Sequence, residues 1–324
     1  MTEEDSDSWN RDLARLATPA PLLQSWAWGE VQSRAGWKVE RVRLASGAMA
    51  SVQVRKAGPA NEVYVPRGPV PASPQAVDAL VDWARASGAA RIVIEPEVTK
   101  GIRTALKERG FSRTAPVQPQ HTRIVKLIAP DDLLKSFRHG RRYNIRTGLK
   151  RGVMVEEGKD AGELARQSAA VEKRESINLP GKVYYQLLLD LLPWCRTYTA
   201  RATEGGEPLA TVLVARHEGR AYSLFAGRSG AHGQLMGNDL AWWTAIKSAA
   251  EAGCSDFDLW GVPPPDAGPA HPWHGLGVFK SEFGGEEVAY VGAWELVLSA
   301  SGARWLRVEG KARAYIRGLK RNIP

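Results

Sequence analysis

The strongest constraint on the fold is an order of elements that the chain runs through twice. In the first half, residues 1–18 read as a frayed acidic tail with a short helix, and residues 22–35 as a helix that Gly36 ends. Residues 38–44 and 51–56 alternate apolar and polar side chains as strands, and Val63, Tyr64 and Val65 form a third, closed by Pro66-Arg67-Gly68-Pro69. Pro74 opens a helix with Ser73 as its cap and Val77, Leu80, Val81 and Ala84 at helical spacing. Residues 91–95 form a buried strand, 100–109 a helix and 122–127 a further strand.

The second half repeats the order. Residues 131–151 predict one strongly basic helix, 153–155 a strand, and 160–176 and 182–192 two helices. Strands follow at 196–202, 209–216 and 221–226, then a helix over 238–252 with Asn238 as cap and Gly253 as stop. Each half runs helix, strands, helix, strand, helix, strand. That order argues for two mixed α/β domains of similar build and against one doubly wound sheet. The division is placed at 1–145 and 146–299, with a closing helix over 303–320.

At 324 residues the chain has room for two domains. A net charge of +9 points to an anionic partner: RNA, nucleotide phosphates or anionic lipid. The two cysteines share no Cys-x-x-Cys spacing, so no zinc site or disulfide framework is legible. The acidic, polar N-terminus is not a signal peptide, and no apolar run approaches the length of a membrane span. The expectation is a cytoplasmic protein with room for peripheral membrane contact. His271 and His274 flank Trp273, but only Asp266 offers a further ligand nearby, so no metal is expected.

Residues 256–298 carry the most specific pattern. Asp256-Phe257-Asp258-Leu259-Trp260 alternates as a strand that Gly261 and the following prolines end. Residues 275–283 are helix-compatible, Gly284-Gly285 stops them, and 287–298 reads as a second strand. Lys280 therefore falls between two strands, flanked by Phe279 and Phe283. The run D-x-D-L-W-G, then G-L-G-x-F-K-x-x-F-G-G, then G-x-W-E-L resembles the FemABX family of aminoacyl-tRNA-dependent peptidyltransferases, which build the cross-bridge of peptidoglycan precursors.

The resemblance implies two acyltransferase-like (GNAT-like) domains side by side, with the last residues, 300–324, packing back on the first. It implies aminoacyl-tRNA as donor and a UDP-linked or lipid-linked muropeptide as acceptor, handled by a monomer without a cofactor. The helical arm of some members is absent, since 131–192 holds no helix long enough. An ester donor is already activated, and the chain shows neither a Gly-x-Ser-x-Gly elbow nor a cysteine nucleophile motif.

Lys280 is the first catalytic candidate, a fixed positive charge for a carbonyl oxyanion or a phosphate. Glu95, before Pro96, is the second: either a base for the attacking amine or a strand-end carboxylate that caps a turn. The resemblance places Arg174, Lys182 and Tyr185 at the precursor's phosphates and peptide, with helix core as the other reading of Tyr184 and Tyr185. Lysine at 182 gives a point charge and no bidentate fork. Gln24-Ser25-Trp26-Ala27-Trp28-Gly29 resembles the family's Gln-x-x-x-Trp-Gly, but Gln32 stands where members carry a diphosphate-binding lysine. Arg34 or Arg67 is the candidate substitute. Trp260 and Phe279 complete the substrate-binding set. Arg141, Arg142 and Arg146 belong to an acid-free basic run with interleaved aromatics, read as a tRNA or phosphate surface or as a solvated face.

Two other function classes remain. An acyl-CoA N-acyltransferase needs a pyrophosphate-gripping loop, and at Gln234-Leu235-Met236-Gly237-Asn238-Asp239 the final carboxylate repels a pyrophosphate. An RNA-binding module leaves the Phe-Lys-x-x-Phe-Gly-Gly stretch without a purpose.

Overall fold

The alternating stretches near the N-terminus assemble into a six-stranded sheet, seen in a computed structural model that describes residues 5–175, 179–306 and 308, the side chains of 57 and 173–175 excepted. The chain divides into two compact units, one of residues 1–120 and 290–324 and one of residues 121–289.

The first unit opens with α1 (Ser6–Leu16), whose first turn is capped by Asp5 accepting from Ser8 N at 2.7 Å. The expected frayed tail is in fact packed: Trp9 and Leu13 are fully buried among Ala20, Met49 and Val70. The expected helix over 22–35 is broken at Ser25. Ser25 closes a short 3-10 turn and its Oγ accepts from Trp28 N at 3.2 Å to start α2 (Trp26–Arg34). Then come β1 (Lys38–Arg43), β2 (Met49–Ala57), β3 (Ala60–Arg67), α3 (Pro74–Ala86), β4 (Ala89–Pro96), α4 (Arg103–Glu108) and β5 (Ser112–Arg113). As expected, Ser73 caps α3, accepting from Ala76 N at 3.1 Å. The apolar face of α3 supplies Val77, Leu80, Val81 and Ala84 to a core with Val63, Val65, Ile92 and Ile94.

The second unit holds β6 (His121–Lys126), α5 (Pro130–Ser136), α6 (His139–Lys150), β7 (Met154–Gly158), α7 (Ala161–Glu175), α8 (Lys182–Leu191), β8 (Cys195–Arg201), β9 (Pro208–His217), β10 (Arg220–Arg228), α9 (Gly237–Glu251), β11 (Asp256–Gly261), α10 (His274–Ser281) and β12 (Glu286–Ala289). The single basic helix expected over 131–151 is two helices. Phe137 between them is extended and 1% exposed, set edge-on to Trp243 and Phe283, so burial of its ring breaks the helix. α6 lies wholly within the second unit, which puts the division at Gln120/His121 and not at 145/146.

The strand expected over 287–298 is also two. β12 pairs with β6 in the second sheet, and β13 (Trp294–Val297) pairs with β4 and β5 in the first. Gly292, at a φ of 80°, makes the turn between them. The first unit thus resumes at Tyr290, before the expected 300. Leu306 packs with Ala60 and Ala90, and the rest of the helix expected over 303–320 lies outside the described residues.

The sheets run β1-β2-β3-β4-β13-β5 and β12-β6-β11-β10-β9-β8-β7. Each contains one parallel pair, β3 with β4 and β10 with β11, and a helix crosses over between its strands, α3 and α9. The fold is therefore mixed α+β with the same crossover built twice. No helix among the described residues is long and apolar enough to cross a membrane.

Candidate active site

In the second unit the parallel strands part. β10 and β11 pair only at Arg220, Ala221 and Tyr222 against Asp256, Phe257 and Asp258. β10 then continues beside β9 to Arg228, while β11 passes through an irregularity between Asp258 and Gly261 against β6. Strands that part lose the hydrogen bonds between them, and their backbone groups must find other partners. Beside the freed end of β10 lies a cavity of about 330 Å³ lined by Val171, Ala226, Gly227, Trp242, Leu276 and Phe279. A more polar cavity of about 370 Å³, lined by Arg141, Asn144, His232, Asp239 and Glu282, shares Arg228, Asn238, Gly275 and Phe279 with it. Gly227 is required where α7 crosses β10, because a Cβ there would come within 2.7 Å of Gln167 Cβ and 2.9 Å of the Gln167 and Ser168 backbone.

Lys280, in the last turn of α10, is 5% exposed. Its Nζ donates to the Gly261 carbonyl oxygen at 2.8 Å and lies 5.7 Å from the Trp242 ring. Burial pushes its pKa down to about 7, and the nearby Asp258 carboxylate pulls the other way. The fixed charge read from the sequence is therefore a group that changes protonation near neutral pH. One residue before Gly261, Trp260 has a φ of 62°, a left-handed backbone that bulky residues rarely adopt. Its N–H donates to Asp258 Oδ1 at 2.7 Å, and the Thr122 hydroxyl donates to the same oxygen. The half-buried Trp260 ring meets Tyr222 edge-on at 6.1 Å. Phe279 borders both cavities and stacks edge-on to Trp242 at 5.7 Å.

Arg141 does not form part of an open phosphate surface. It is 2% exposed, with its guanidinium paired to Asp239 and to Glu282 at 2.8 Å, bonded to the Phe279 carbonyl at 2.9 Å and set over the Phe279 and Phe283 rings. Arg142 is half-buried and donates to the Lys135 and Phe137 carbonyls at the end of α5, a capping role. Arg146 is exposed and stays available to a polyanion. Asp239 also accepts from Asn144 at 2.9 Å, so the carboxylate expected to repel a pyrophosphate already has its partners.

Tyr185 is a core residue: fully buried, its hydroxyl donating to Ser168 Oγ at 3.1 Å, its ring 5.1 Å from Phe225 and its pKa pushed up to about 12 by burial. Lys182 is exposed in the first turn of α8. Arg174 lies near the end of α7, and its side chain falls outside the described ones. Cys195 is buried with its thiol pushed up to about 12, which removes it as a nucleophile. His271 Nδ1 accepts from Trp273 N at 3.0 Å, a local loop contact.

In the first unit, Glu95 is 2% exposed and accepts from Tyr64 Oη at 2.5 Å, Val117 N at 2.6 Å and Gln118 N at 3.1 Å. Burial still raises its pKa above the usual carboxylate value. The turn-capping alternative describes this geometry, because its lone pairs are occupied by the turn at 117–118. Arg67 is 3% exposed, donates to the Pro119 carbonyl at 2.8 Å, lies 3.7 Å from Glu97 and stacks 4.3 Å over Tyr290. It is a structural cation and not an open phosphate clamp. Gln32 is buried on α2 and is likewise no surface ligand. Gln24, which opens the same stretch, bonds Ser51 and Pro66 and so holds β2 and β3 together.

Sequence reasoning singled out Lys280, Trp260 and Phe279 but missed Asp258, Thr122 and Trp242 as their partners. The D-x-D spacing was visible, but only the strand order shows that Asp258 faces Thr122 from a strand 136 positions away.

Residues 135–271 match the model of the acetyltransferase (GNAT) domain family. Lipid II:glycine glycyltransferase of Staphylococcus aureus is 31% identical over 160 residues, which is 42% of this chain and 38% of that protein. The chain thus spans well under half the length of the curated relatives it matches. The crystal structure of FemX superposes with a TM-score of 0.80 at 19% identity, covering 95% of this chain and 99% of that one. A tandem GNAT protein from the clavulanic acid biosynthesis pathway superposes with a TM-score of 0.56 at 12% identity, over 90% of this chain and 95% of that one. The resemblance carried by the Phe279-Lys280 stretch is borne out: the chain is similar in sequence to a lipid II:glycine glycyltransferase and has the fold of FemX, two GNAT-like units in tandem.

Proposed function

We propose that the protein is an aminoacyltransferase that moves an amino acid from aminoacyl-tRNA onto the amine of a peptidoglycan precursor stem peptide. The observation that carries this reading is the parted β10–β11 pair, with Lys280 buried at its mouth, in a chain similar to a glycyltransferase that acts on lipid II. The amine attacks the ester carbonyl, the new C–N bond forms, the C–O bond to the tRNA breaks, and the departing oxygen takes up a proton. No enzyme nucleophile is needed, and the inert Cys195 fits that economy. Lys280 enters this reading through its place, buried at the end of β11 with its ammonium on the Gly261 carbonyl. The net charge of +9 favours polyanionic substrates, and exposed Arg146 and Lys182 remain as contacts for them. Glu95, Gln32, Arg67 and Arg141 act in this reading as supports. The acceptor is lipid-linked or UDP-linked, the enzyme works as a monomer without a cofactor, and it meets the inner, anionic membrane face from the cytoplasm.

Purified protein is to be offered a set of charged tRNAs with lipid-linked and nucleotide-linked precursors, and the products read by mass spectrometry. Transfer abolished by ribonuclease supports the reading. Transfer that survives ribonuclease and scales with acyl-CoA overturns it in favour of an acyl-CoA N-acyltransferase. That second reading gains from one observation: Asp239 is engaged by Arg141 and Asn144, so its charge no longer bars a pyrophosphate from the polar cavity.

A further inference from the structure

Lys280 and Trp260 are parts of one construction. The backbone from Asp258 to Gly261 leaves the regular ladder with β6: Asp258 sits opposite Ile124, and the next registered pair is Gly261 with Thr122. Within that irregularity Trp260 adopts its left-handed backbone. Such a conformation is strained and persists only where neighbouring contacts determine it. Two contacts do so. On one side, the Asp258 carboxylate accepts the Trp260 N–H at 2.7 Å and is itself held by the Thr122 hydroxyl. On the other, Lys280 Nζ donates to the Gly261 carbonyl at 2.8 Å. Lys280 is 5% exposed and its ammonium is bonded to the backbone, while the Trp260 ring is half-buried beside the place where β10 and β11 separate. A side chain enclosed in this way is poorly placed to touch a substrate, and the ring is better placed.

We infer that Lys280 is a positioning residue: together with Asp258 it clamps residues 258–261 in their strained turn, so that the Trp260 ring is the group presented to the substrate at the parted strands. The inference rests on the proposed transferase reading for its substrate but not for its geometry. Lys280 and Asp258 hold the two ends of the same turn, and removal of either lets Trp260 relax toward an ordinary strand conformation, which turns its ring away.

Two measurements on the full chain separate this role from direct chemistry. The first uses protein labelled with 5-fluorotryptophan, in which Trp260→Phe identifies the Trp260 fluorine resonance. Lys280→Met is expected to move that resonance and, apart from Trp242, whose ring lies 5.7 Å from the ammonium, to leave the rest of the fluorine spectrum in place. The second is a double-mutant cycle on transfer with Lys280→Met and Trp260→Ala. Each single substitution is expected to lower transfer by about 100-fold, the scale of a lost oriented contact. The pair together is expected to lose no more than about 3-fold beyond Trp260→Ala alone, as for residues that act as a unit. Losses that multiply, or a Trp260 resonance that stays put in Lys280→Met, overturn the inference. A wild-type protein that transfers nothing from any charged tRNA overturns the proposed function instead, and the fluorine spectrum still decides the clamp.

Discussion

The two parallel strand pairs are the same device in two conditions. In the first unit β3 and β4, after an irregularity between Asn61 and Glu62, stay in register over six residue pairs, from Glu62 with Arg91 to Arg67 with Pro96. In the second unit β10 and β11 keep three and then diverge. The crossover helices differ in the same sense. The first turn of α3 is capped by Ser73, whereas α9 begins after Met236, a left-handed residue that gives no side-chain cap. The buried ionisable groups differ as well. Glu95 at the end of the closed pair is saturated by donors, while Lys280 at the open pair has the Gly261 carbonyl, a distant ring and the nearby Asp258 carboxylate. A duplicated architecture can thus keep one copy closed for support and open the other for chemistry.

The largest expected effect comes from the ion pairs beside the open pair. Arg141→Met leaves the Asp239 and Glu282 carboxylates without their cation, and a loss of about 3–5 kcal/mol in stability is expected from denaturant unfolding, as for a broken buried pair. A loss no greater than that of an exposed arginine would remove the distinction between this region and a solvated face. Next, Ala226→Leu fills part of the apolar cavity, and transfer should fall about 100-fold through misplacement of the substrate, with the circular dichroism spectrum unchanged. Full activity in that variant would place the substrate elsewhere.

Lys280→Met sharpens the comparison through pH. The folded-state pKa of Lys280, about 7, lies below its ordinary 10.5. The buried charge therefore destabilises the fold in full below about pH 7, and the penalty shrinks as pH rises toward the unfolded value, where the folded state has already shed the proton. The variant should melt above the wild type at about pH 6, with the gap narrowing by about pH 9. A gap that widens with pH contradicts the assignment. The smallest effect is expected from Glu95→Gln in the closed pair, where transfer should change by less than about 5-fold, far below the 10²–10⁴-fold range of a lost general base. A 100-fold loss would make Glu95 a participant and break the division of labour.

Much of the fold was legible because it rests on local signals. Ser73 and Pro74 start α3 as written, and the alternation in 51–56 and 63–65 is real strand. The misses share a cause. Phe137 splits a basic helix because its ring belongs to the core, a demand that comes from Trp243 and Phe283 far along the chain. Trp9 anchors a tail whose composition suggested fraying, because Gln24 offers its carbonyl to the indole N–H at 2.9 Å. At the site, residue type showed that Lys280 and Arg141 are charged but not that both are enclosed, since enclosure is a property of the neighbours.

The turn at Gly292 sets the order in which the protein can be completed as it is made. Sheet order places β13 between β4 and β5, so the first sheet has a gap until Trp294–Val297 have been synthesised. Among the described residues, the second sheet takes no strand beyond β12. A growing chain therefore finishes its second unit first and carries an incomplete, edge-exposed first unit until β13 emerges, the reverse of the usual N-terminal-first sequence. A chain cut anywhere between Gln120 and Tyr290 leaves that first sheet open, so the early half needs the late half before it has a finished sheet of its own.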